Sequence, residues 1–235
     1  MALLNTAYQL VRWGHNVLMV DADLEAPGLT LLLKQYLQPT QPGFIGFFET
    51  CTRDFMRRFN QDSQIEPLET EALRAFWENI PTENREKNKT GHLALMPTGR
   101  LEQYLNHLNR LDIASLYRQG IGYAIAKECQ AWLKQMPFDQ LPFDYVLIDS
   151  RTGYNEASGL CVNALAEALV VVTALNVQNL DGTKQFLTDL GLLPDRPIDL
   201  IFAISPVPPW QDDLTKARLR EFQEKFQCSP DVLIP

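Results

Sequence analysis

Two acids with a single residue between them, Asp21 and Asp23, close a short apolar run in the segment "NVLMVDAD". A third acid, Asp149, closes another apolar run, and Gly153 follows it four residues later in "DSRTG". A carboxylate at a strand end can hold a water molecule of a magnesium ion, and a nearby glycine lets a backbone N–H approach a terminal phosphate. These residue types and spacings predict a site for a magnesium–phosphate complex.

Each of these residues also has a purely structural interpretation. An aspartate at a strand end often caps the helix that follows it, and Gly153 suits any turn that needs a positive φ angle. Arg151 could pair with Asp21 or Glu156 at the surface. The joint occurrence favours the nucleotide interpretation: an acid pair follows one strand, and an Asp with a Gly four residues later follows another.

The elements that must position these residues are read from the hydrophobic pattern. The opening segment "ALLNTAYQLVRWG" predicts an amphipathic helix with Gly14 as its cap. From residue 143 onward strands and helices alternate, with strands in "FDYVLID", "ALVVVTAL", "PIDLIFAIS" and "DVLIP" and helices in "EASGLCVNALAE", "LDGTKQFLTDLG" and "DLTKARLREFQEKF". Such alternation indicates right-handed βαβ units. The predicted fold class is α/β, with a doubly wound, mostly parallel sheet flanked by helices.

The stretch from about residue 40 to 140 has a different pattern and predicts a largely helical insertion. Helices are expected in "FIGFFETCTRDFMRRF", "ETEALRAFWENI", "LEQYLNHLNRLDIASLYRQ" and "GYAIAKECQAWLKQM", and a short strand in "LALMPTGR". We expect residues 1–235 to form a single domain that contains this insertion.

Ligands bind outside the carboxyl ends of the strands in open α/β sheets. We therefore expect the acid pair, the segment 149–153 and the segment 176–181 to meet at one edge of the sheet. Convergence of carboxylates costs free energy unless a cation neutralises them, and a magnesium–phosphate complex would do so.

Composition excludes several other classes of function. The formal net charge of −8 disfavours broad attraction to nucleic acid or to anionic lipid, although local Arg57/Arg58 or Arg218/Arg220 patches stay possible. No run of about 18 apolar residues predicts a membrane span. The four cysteines are widely spaced, which favours reduced thiols, a cytoplasmic location and no structural zinc.

The segments "VLMVDADLEAPGLT" and "FDYVLIDSRTG" together resemble the ParA/MinD-type P-loop ATPases of the SIMIBI class. The resemblance is to the bacterial branch with D-x-D-L-E-A-P-G-L and D-S-R-T-G segments. It implies ATP and magnesium as cofactors, slow hydrolysis that regulates an unknown protein partner, and a nucleotide-dependent homodimer.

The resemblance also implies roles for individual residues. Asp23 would orient the attacking water as the catalytic residue. Asp149 would hold magnesium through water, and Asp21 would lie in the outer shell of the same ion. Gly153 would contact the γ-phosphate, and Arg151 would approach the phosphates.

The sequence departs from this family at the phosphate-binding loop. No glycine-rich K-G-G-x-G-[KR]-[ST] segment is present, although in the family this loop supplies the amides, the hydroxyl and the lysine that hold the phosphates. We expect the first strand and this P-loop to lie upstream of Met1, so that residues 1–235 are an inactive part of an ATPase. Two alternatives are a non-catalytic interaction module that keeps the fold without the loop, and an ATP-dependent ligase or synthase of the same class.

Overall fold

The structure is a computed structural model that describes residues 2–60, 68–82, 91–99, 121–138, 141–150, 164–193, 198–207 and 213–234. The predicted helices in "LEQYLNHLNRLDIASLYRQ" and in most of "EASGLCVNALAE" lie outside these ranges. The chain divides into two compact units, Met1–Leu165 and Ala166–Pro235. The single domain expected from the sequence stays a prediction.

The first unit is built on a sheet with the strand order β2-β3-β1-β6. Its strands in chain order are β1 (Val17–Asp21), β2 (Glu78–Ile80), β3 (Leu93–Met96), β4 (Pro137–Phe138), β5 (Leu141–Pro142) and β6 (Tyr145–Asp149). β1 pairs in parallel with β3 and β6, β2 pairs antiparallel with β3, and β4 and β5 form a separate two-stranded ribbon. The expected mostly parallel sheet is confirmed.

The helices of this unit follow the hydrophobic pattern of the sequence. They are α1 (Ala2–Arg12), α2 (Gly28–Leu32), α3 (Gly43–Asn60) and α4 (Ile121–Gln135), with 3₁₀ turns at Lys34–Tyr36 and Thr70–Phe76. α1 buries Leu4, Ala7 and Val11, which are spaced by three and four residues and so share one face. Gly14 takes φ 96° just after α1, where only a glycine adopts that angle without strain.

Helices cover both faces of the sheet, which explains why every residue of β1 is apolar up to its last. All five residues of β1 are buried. Leu18 and Val20 belong to a core cluster with side chains of α3 and α4. Val17 and Met19 belong to a second cluster with side chains of α1 and α2. Since alternate residues of a strand point to opposite faces, the first unit has the doubly wound layering expected from the sequence.

The stretch from 40 to 140 is helical in α3 and α4, as expected, but one of its predicted helices is wrong in part. The segment "ETEALRAFWENI" forms the 3₁₀ turn Thr70–Phe76 and then the strand β2. Trp77 ends the turn in an extended conformation, lies 2% exposed, and packs edge-on against Phe143 at 5.2 Å between ring centroids. Burial of this indole outweighs the helical pattern around it. The stretch also supplies β2 and β3 to the sheet.

The second unit is a smaller parallel α/β layer. Its strands are β7 (Ala168–Thr173), β8 (Asp199–Ile204) and β9 (Val232–Leu233), in that order, and its helices are α5 (Val177–Asp189) and α6 (Asp213–Phe226). Phe202 of β8 packs on Phe222 and Phe226 of α6, with ring centroids 5.3 and 5.0 Å away. These elements confirm the alternation predicted for this part of the chain. None of the helices in the described ranges is long and apolar enough to cross a bilayer.

Candidate functional site

Asp21 and Asp149 end adjacent parallel strands at the same edge of the sheet. They are register partners, and they are the last residues of β1 and β6. The Ala22 N–H donates to the Asp149 carbonyl oxygen at 2.8 Å, so the ladder continues one residue past β1. The structure therefore brings together two of the carboxylates that the sequence placed at this edge.

The Asp21 carboxyl group is fully buried and only partly satisfied. The residue is 0% exposed, and its Oδ2 accepts a hydrogen bond from the Thr30 N–H at 2.7 Å. Its Oδ1 has no hydrogen-bond partner among the residues that the structure describes. Burial raises the pKa of Asp21 and the charge of Asp149 raises it further, while hydrogen bonds from Thr30 and Asp23 lower it. The ionised form is thus destabilised in the folded chain.

Asp149 lies in an environment of the same kind. Burial is the main cause that raises the pKa of its carboxyl group, and the negative charge of Asp23 raises it as well. Asp21, Asp23 and Asp149 are thus close enough for their charges to interact. Repulsion among carboxylates at the end of a sheet is the condition under which a cation binds favourably.

Asp23 stabilises a turn through its side chain, and it also lies close enough to Asp149 for the two charges to interact. Its Oδ1 accepts hydrogen bonds from the N–H groups of Glu25 and Ala26, at 3.3 and 3.1 Å. These bonds close the turn that leads into α2. Pro27, rather than Asp23, occupies the N-cap position of α2 and makes no side-chain capping bond. The structural interpretation of Asp23 therefore holds only in part. One of its oxygens stabilises the turn before α2, but Asp23 is not the N-cap of that helix.

Two threonines belong to this site that the sequence reasoning did not single out. Thr30 lies in α2 and donates its N–H to Asp21. Thr98 follows β3 and donates its own N–H to the Thr30 Oγ1 at 3.1 Å, and the two hydroxyl oxygens lie 3.5 Å apart. A signal was present, because Thr98 follows a strand that runs parallel to β1 and so lies at the same sheet edge as the acids.

Several predicted site residues are not tested by these contacts. Arg151 and Gly153 lie outside the described residues, so their approach to phosphate stays a prediction. Asn176 and Asp181 belong to the second unit. There Asn176 caps α5 by accepting the Asn179 N–H at 2.9 Å, and Asp181 forms an ion pair with Lys225. Their expected convergence with the acids of β1 and β6 also stays a prediction.

Three of the four arginines suggested as local basic patches are engaged with acids, namely Arg57, Arg58 and Arg218. Asp54 is 4% exposed and accepts hydrogen bonds from Arg57 and Arg58 on the same helix, α3. Arg58 also pairs with Glu128 of α4 at 2.6 Å. Arg218 pairs with Glu221 at 2.5 Å. The charges of these arginines are therefore largely offset locally.

The chemistry of the three acids fits a hard cation held through water. Within the described ranges no cluster of three or more His, Cys, Asp or Glu side chains has the geometry to hold a metal ion directly. A buried carboxylate oxygen without a donor is costly, however, and a hydrated cation supplies donors. Asp21 Oδ1 has no donor in the described part of the chain, and this observation makes the residues suitable for magnesium, which keeps several of its waters in proteins.

Comparison with known proteins shows that the chain is similar in structure to solved proteins but has no match at the level of sequence. No protein-family model matches the chain, and no curated protein matches it. Solved structures do match. The apo form of McdA from Cyanothece has a TM-score of 0.62 and 15% identity, over 100% of this chain and 81% of that one. An ATP complex of a Cyanothece McdA variant has a TM-score of 0.61 and 15% identity, over 98% and 76%. pNOB8 ParA bound to nonspecific DNA has a TM-score of 0.56 and 14% identity, over 96% and 69%.

The parallel sheet, the helices on both of its faces and the acids at its carboxyl edge define a doubly wound α/β fold. Within that class, the chain has the ParA/MinD-type fold, which the resemblance predicted. At these identities the likeness establishes the fold and nothing finer.

Proposed function

We propose that this chain belongs to a nucleotide-switch ATPase. In this function a form that carries a phosphate-binding loop binds Mg–ATP and hydrolyses it slowly to regulate a protein partner. One observation carries the proposal: Asp21 and Asp149 are register partners at the carboxyl edge of the sheet, and one buried oxygen of Asp21 has no partner among the residues that the structure describes. The ATP complex of the McdA variant, a structural neighbour, supports nucleotide as the ligand.

The three acids have different tasks in this proposal. Asp149 is half-buried at the end of β6 and would hold a cation through water. Asp21 is fully buried, and its Oδ1 would serve the outer shell of the same cation. Asp23 uses Oδ1 for the turn before α2, and its other oxygen orients the attacking water. When bound, magnesium would neutralise the charge of the phosphates. The residues contribute position and charge, without a covalent intermediate.

The test uses the extended chain, meaning residues 1–235 together with all residues that the gene encodes in frame upstream of Met1. Purified extended chain is mixed with Mg–ATP, and phosphate release and nucleotide affinity are measured with and without magnesium. The proposal expects micromolar affinity that depends on magnesium, together with slow turnover. Hydrolysis without nucleotide binding at this site, or no binding at all, would reject it.

A second function has one observation in its favour. Because the 235 residues contain no glycine-rich loop, a non-catalytic module that keeps only the fold is the alternative. The sequence upstream of Met1 in the gene distinguishes the two at little cost. An in-frame glycine-rich loop supports the ATPase, and a stop codon supports the module. An ATP-dependent ligase or synthase would need a substrate site in the stretch from 40 to 140.

The partners in the proposal are nucleotide, a second copy of the chain in the ATP-bound form, and a regulated protein. pNOB8 ParA was solved on nonspecific DNA. We do not propose DNA as a partner of the present chain, because the net charge of the chain is −8 and Arg57, Arg58 and Arg218 are paired with acids. Gel filtration of the extended chain with and without ATP tests the nucleotide-dependent dimer.

A further inference from the structure

The Asp21 carboxyl group is held from one side through a short series of hydrogen bonds. The Thr98 N–H donates to the Thr30 Oγ1 at 3.1 Å, and the Thr30 N–H donates to the Asp21 Oδ2 at 2.7 Å. Thr98 is 2% exposed and Asp21 is 0% exposed, so water does not replace these bonds readily. The contacts occupy Oδ2 and leave Oδ1 as the oxygen of this carboxyl group that has no partner among the described residues.

The far end of this series is fixed by a close backbone contact. The turn after β3 meets the start of α3, where the Phe44 N–H donates to the Pro97 carbonyl at 2.7 Å and the Ile45 N–H to the Thr98 carbonyl at 3.1 Å. Gly43 and Gly99 lie in this contact with φ angles of 61° and 111°. A Cβ atom on Gly43 would overlap the Pro97 carbonyl and the Gly99 nitrogen. Thr98 is therefore held by two elements at once, β3 and α3.

The near end depends on Thr30, because α2 is short. α2 has five residues, fewer than a helix needs for stability in isolation. Leu29 anchors it in the core at 4% exposure. The Thr30 hydroxyl supplies a second attachment, to Thr98, and that attachment fixes where the Thr30 N–H lies relative to Asp21.

We propose that Thr30 is a positioning residue for Asp21. Oriented by Thr98 in the turn after β3, it keeps the Asp21 side chain in the one rotamer that leaves Oδ1 without a donor among the described residues. The inference deepens the proposed function. Only its expected effect on kcat rests on that function. Because Thr30 acts through Asp21, the direct test is the conformation of the Asp21 side chain.

The first experiment measures the χ1 rotamer of Asp21 in residues 1–235 by three-bond couplings from its Cγ to the backbone nitrogen and carbonyl carbon. Thr30→Val keeps the shape of the side chain but removes its hydroxyl group, which accepts from the Thr98 N–H and also helps to lower the pKa of Asp21. The unmodified chain and Thr30→Ser are expected to show one rotamer, and Thr30→Val an average over two or more. Thr30→Cys, with a weaker acceptor, is the second variant should Thr30→Val fail to fold.

Thr52→Val is the matched control. Its hydroxyl is also buried and bonded, to the Phe48 carbonyl at 2.8 Å within α3, but it does not contact this site. The control is expected to lower Tm and leave Asp21 in one rotamer. A single Asp21 rotamer in a folded Thr30→Val or Thr30→Cys chain would overturn the proposal. Averaging in Thr52→Val would overturn it too, since the effect would then come from general destabilisation.

A second experiment uses the extended chain and Mg–ATP. Thr30→Val is expected to lower kcat by about 10- to 100-fold and to change the Kd for Mg–ATP by less than about threefold. Thr30→Ser is expected to restore kcat. Unchanged kcat in an active Thr30→Val protein would contradict the inference. An extended chain with no ATPase activity would instead reject the proposed function, and the rotamer measurement would still decide whether Thr30 positions Asp21.

Discussion

Asp21 and Asp149 are register partners at the ends of two adjacent parallel strands, and burial raises the pKa of both carboxyl groups. Two acids in this arrangement reduce the stability of the chain when both are ionised. Proteins accept such a cost at sites where the charges serve a ligand. Substitution of one of these acids is therefore expected to raise the stability of the chain while it weakens ligand binding. The two effects can be measured separately.

The first prediction concerns Asp23, whose Oδ1 closes the turn before α2. In the extended chain, Asp23→Ala is expected to reduce ATP turnover by about 100-fold or more while ATP affinity stays largely intact, since orientation of water contributes mainly in the transition state. Phosphate release and calorimetry measure the two quantities. The control is Glu71→Ala, an exposed acid in the 3₁₀ turn Thr70–Phe76. Turnover within about twofold of the unmodified protein would remove Asp23 from the catalytic role.

The second prediction concerns Asp149. Asp149→Asn keeps the shape of the side chain but removes the charge that holds the water of magnesium, so magnesium-dependent ATP affinity of the extended chain should fall by roughly tenfold or more. The same substitution ends the repulsion from Asp23 and the cost of a buried charge. We therefore expect Tm without nucleotide to rise by about 2 °C or more at neutral pH. A lower Tm with unchanged affinity would support a purely structural role.

The third prediction is a pH dependence caused by Asp21. Because burial raises the pKa of this carboxyl group, the folded chain binds the proton more tightly than the unfolded chain. Between the ordinary pKa and the raised one, the free energy of unfolding therefore falls as pH rises. Asp21→Asn removes this loss and should raise the free energy of unfolding of residues 1–235 at neutral pH. Urea denaturation over a series of pH values should show the gain shrinking to nothing below the ordinary Asp pKa. A gain independent of pH would contradict this account.

The fourth prediction concerns residues 1–235 alone. They contain no glycine-rich loop to supply amides and a lysine to the phosphates, and their clustered acids repel a triphosphate. We expect no ATP binding detectable by calorimetry. The extended chain should bind Mg–ATP with micromolar Kd, about −8 kcal/mol. Micromolar binding by residues 1–235 themselves would show that the loop is not required.

Much of this fold could be predicted from the sequence because its signals are local. The five buried residues of β1 and the three- and four-residue spacing of Leu4, Ala7 and Val11 in α1 are patterns that can be read along the chain. The helix predicted over residues 69–80 is wrong at residues 78–80, for the opposite reason. The strand there depends on the burial of Trp77 against Phe143, a residue 66 positions away in sequence.

The candidate site shows the same division. The acids could be found because each one ends an apolar run. The contact of Thr98 with Thr30 spans 68 positions, and it depends on how the turn after β3 meets α2. No spacing rule along the chain encodes such a contact. The separate use of the two Asp21 oxygens is likewise a property of three-dimensional packing.

The contact between Gly43 and Gly99 has a consequence for how this protein can vary. In a saturation library selected for folding alone, every other residue should be depleted at these two positions, because a Cβ atom would meet backbone from the neighbouring segment and both φ angles are positive. Gly28 stands at the start of α2 beside the acids, yet a Cβ there would meet nothing within 4 Å. Alanine at Gly28 should therefore persist through the same selection. Intolerance at Gly43 or Gly99 would therefore indicate backbone crowding between the turn after β3 and α3, at residues that need never touch a ligand.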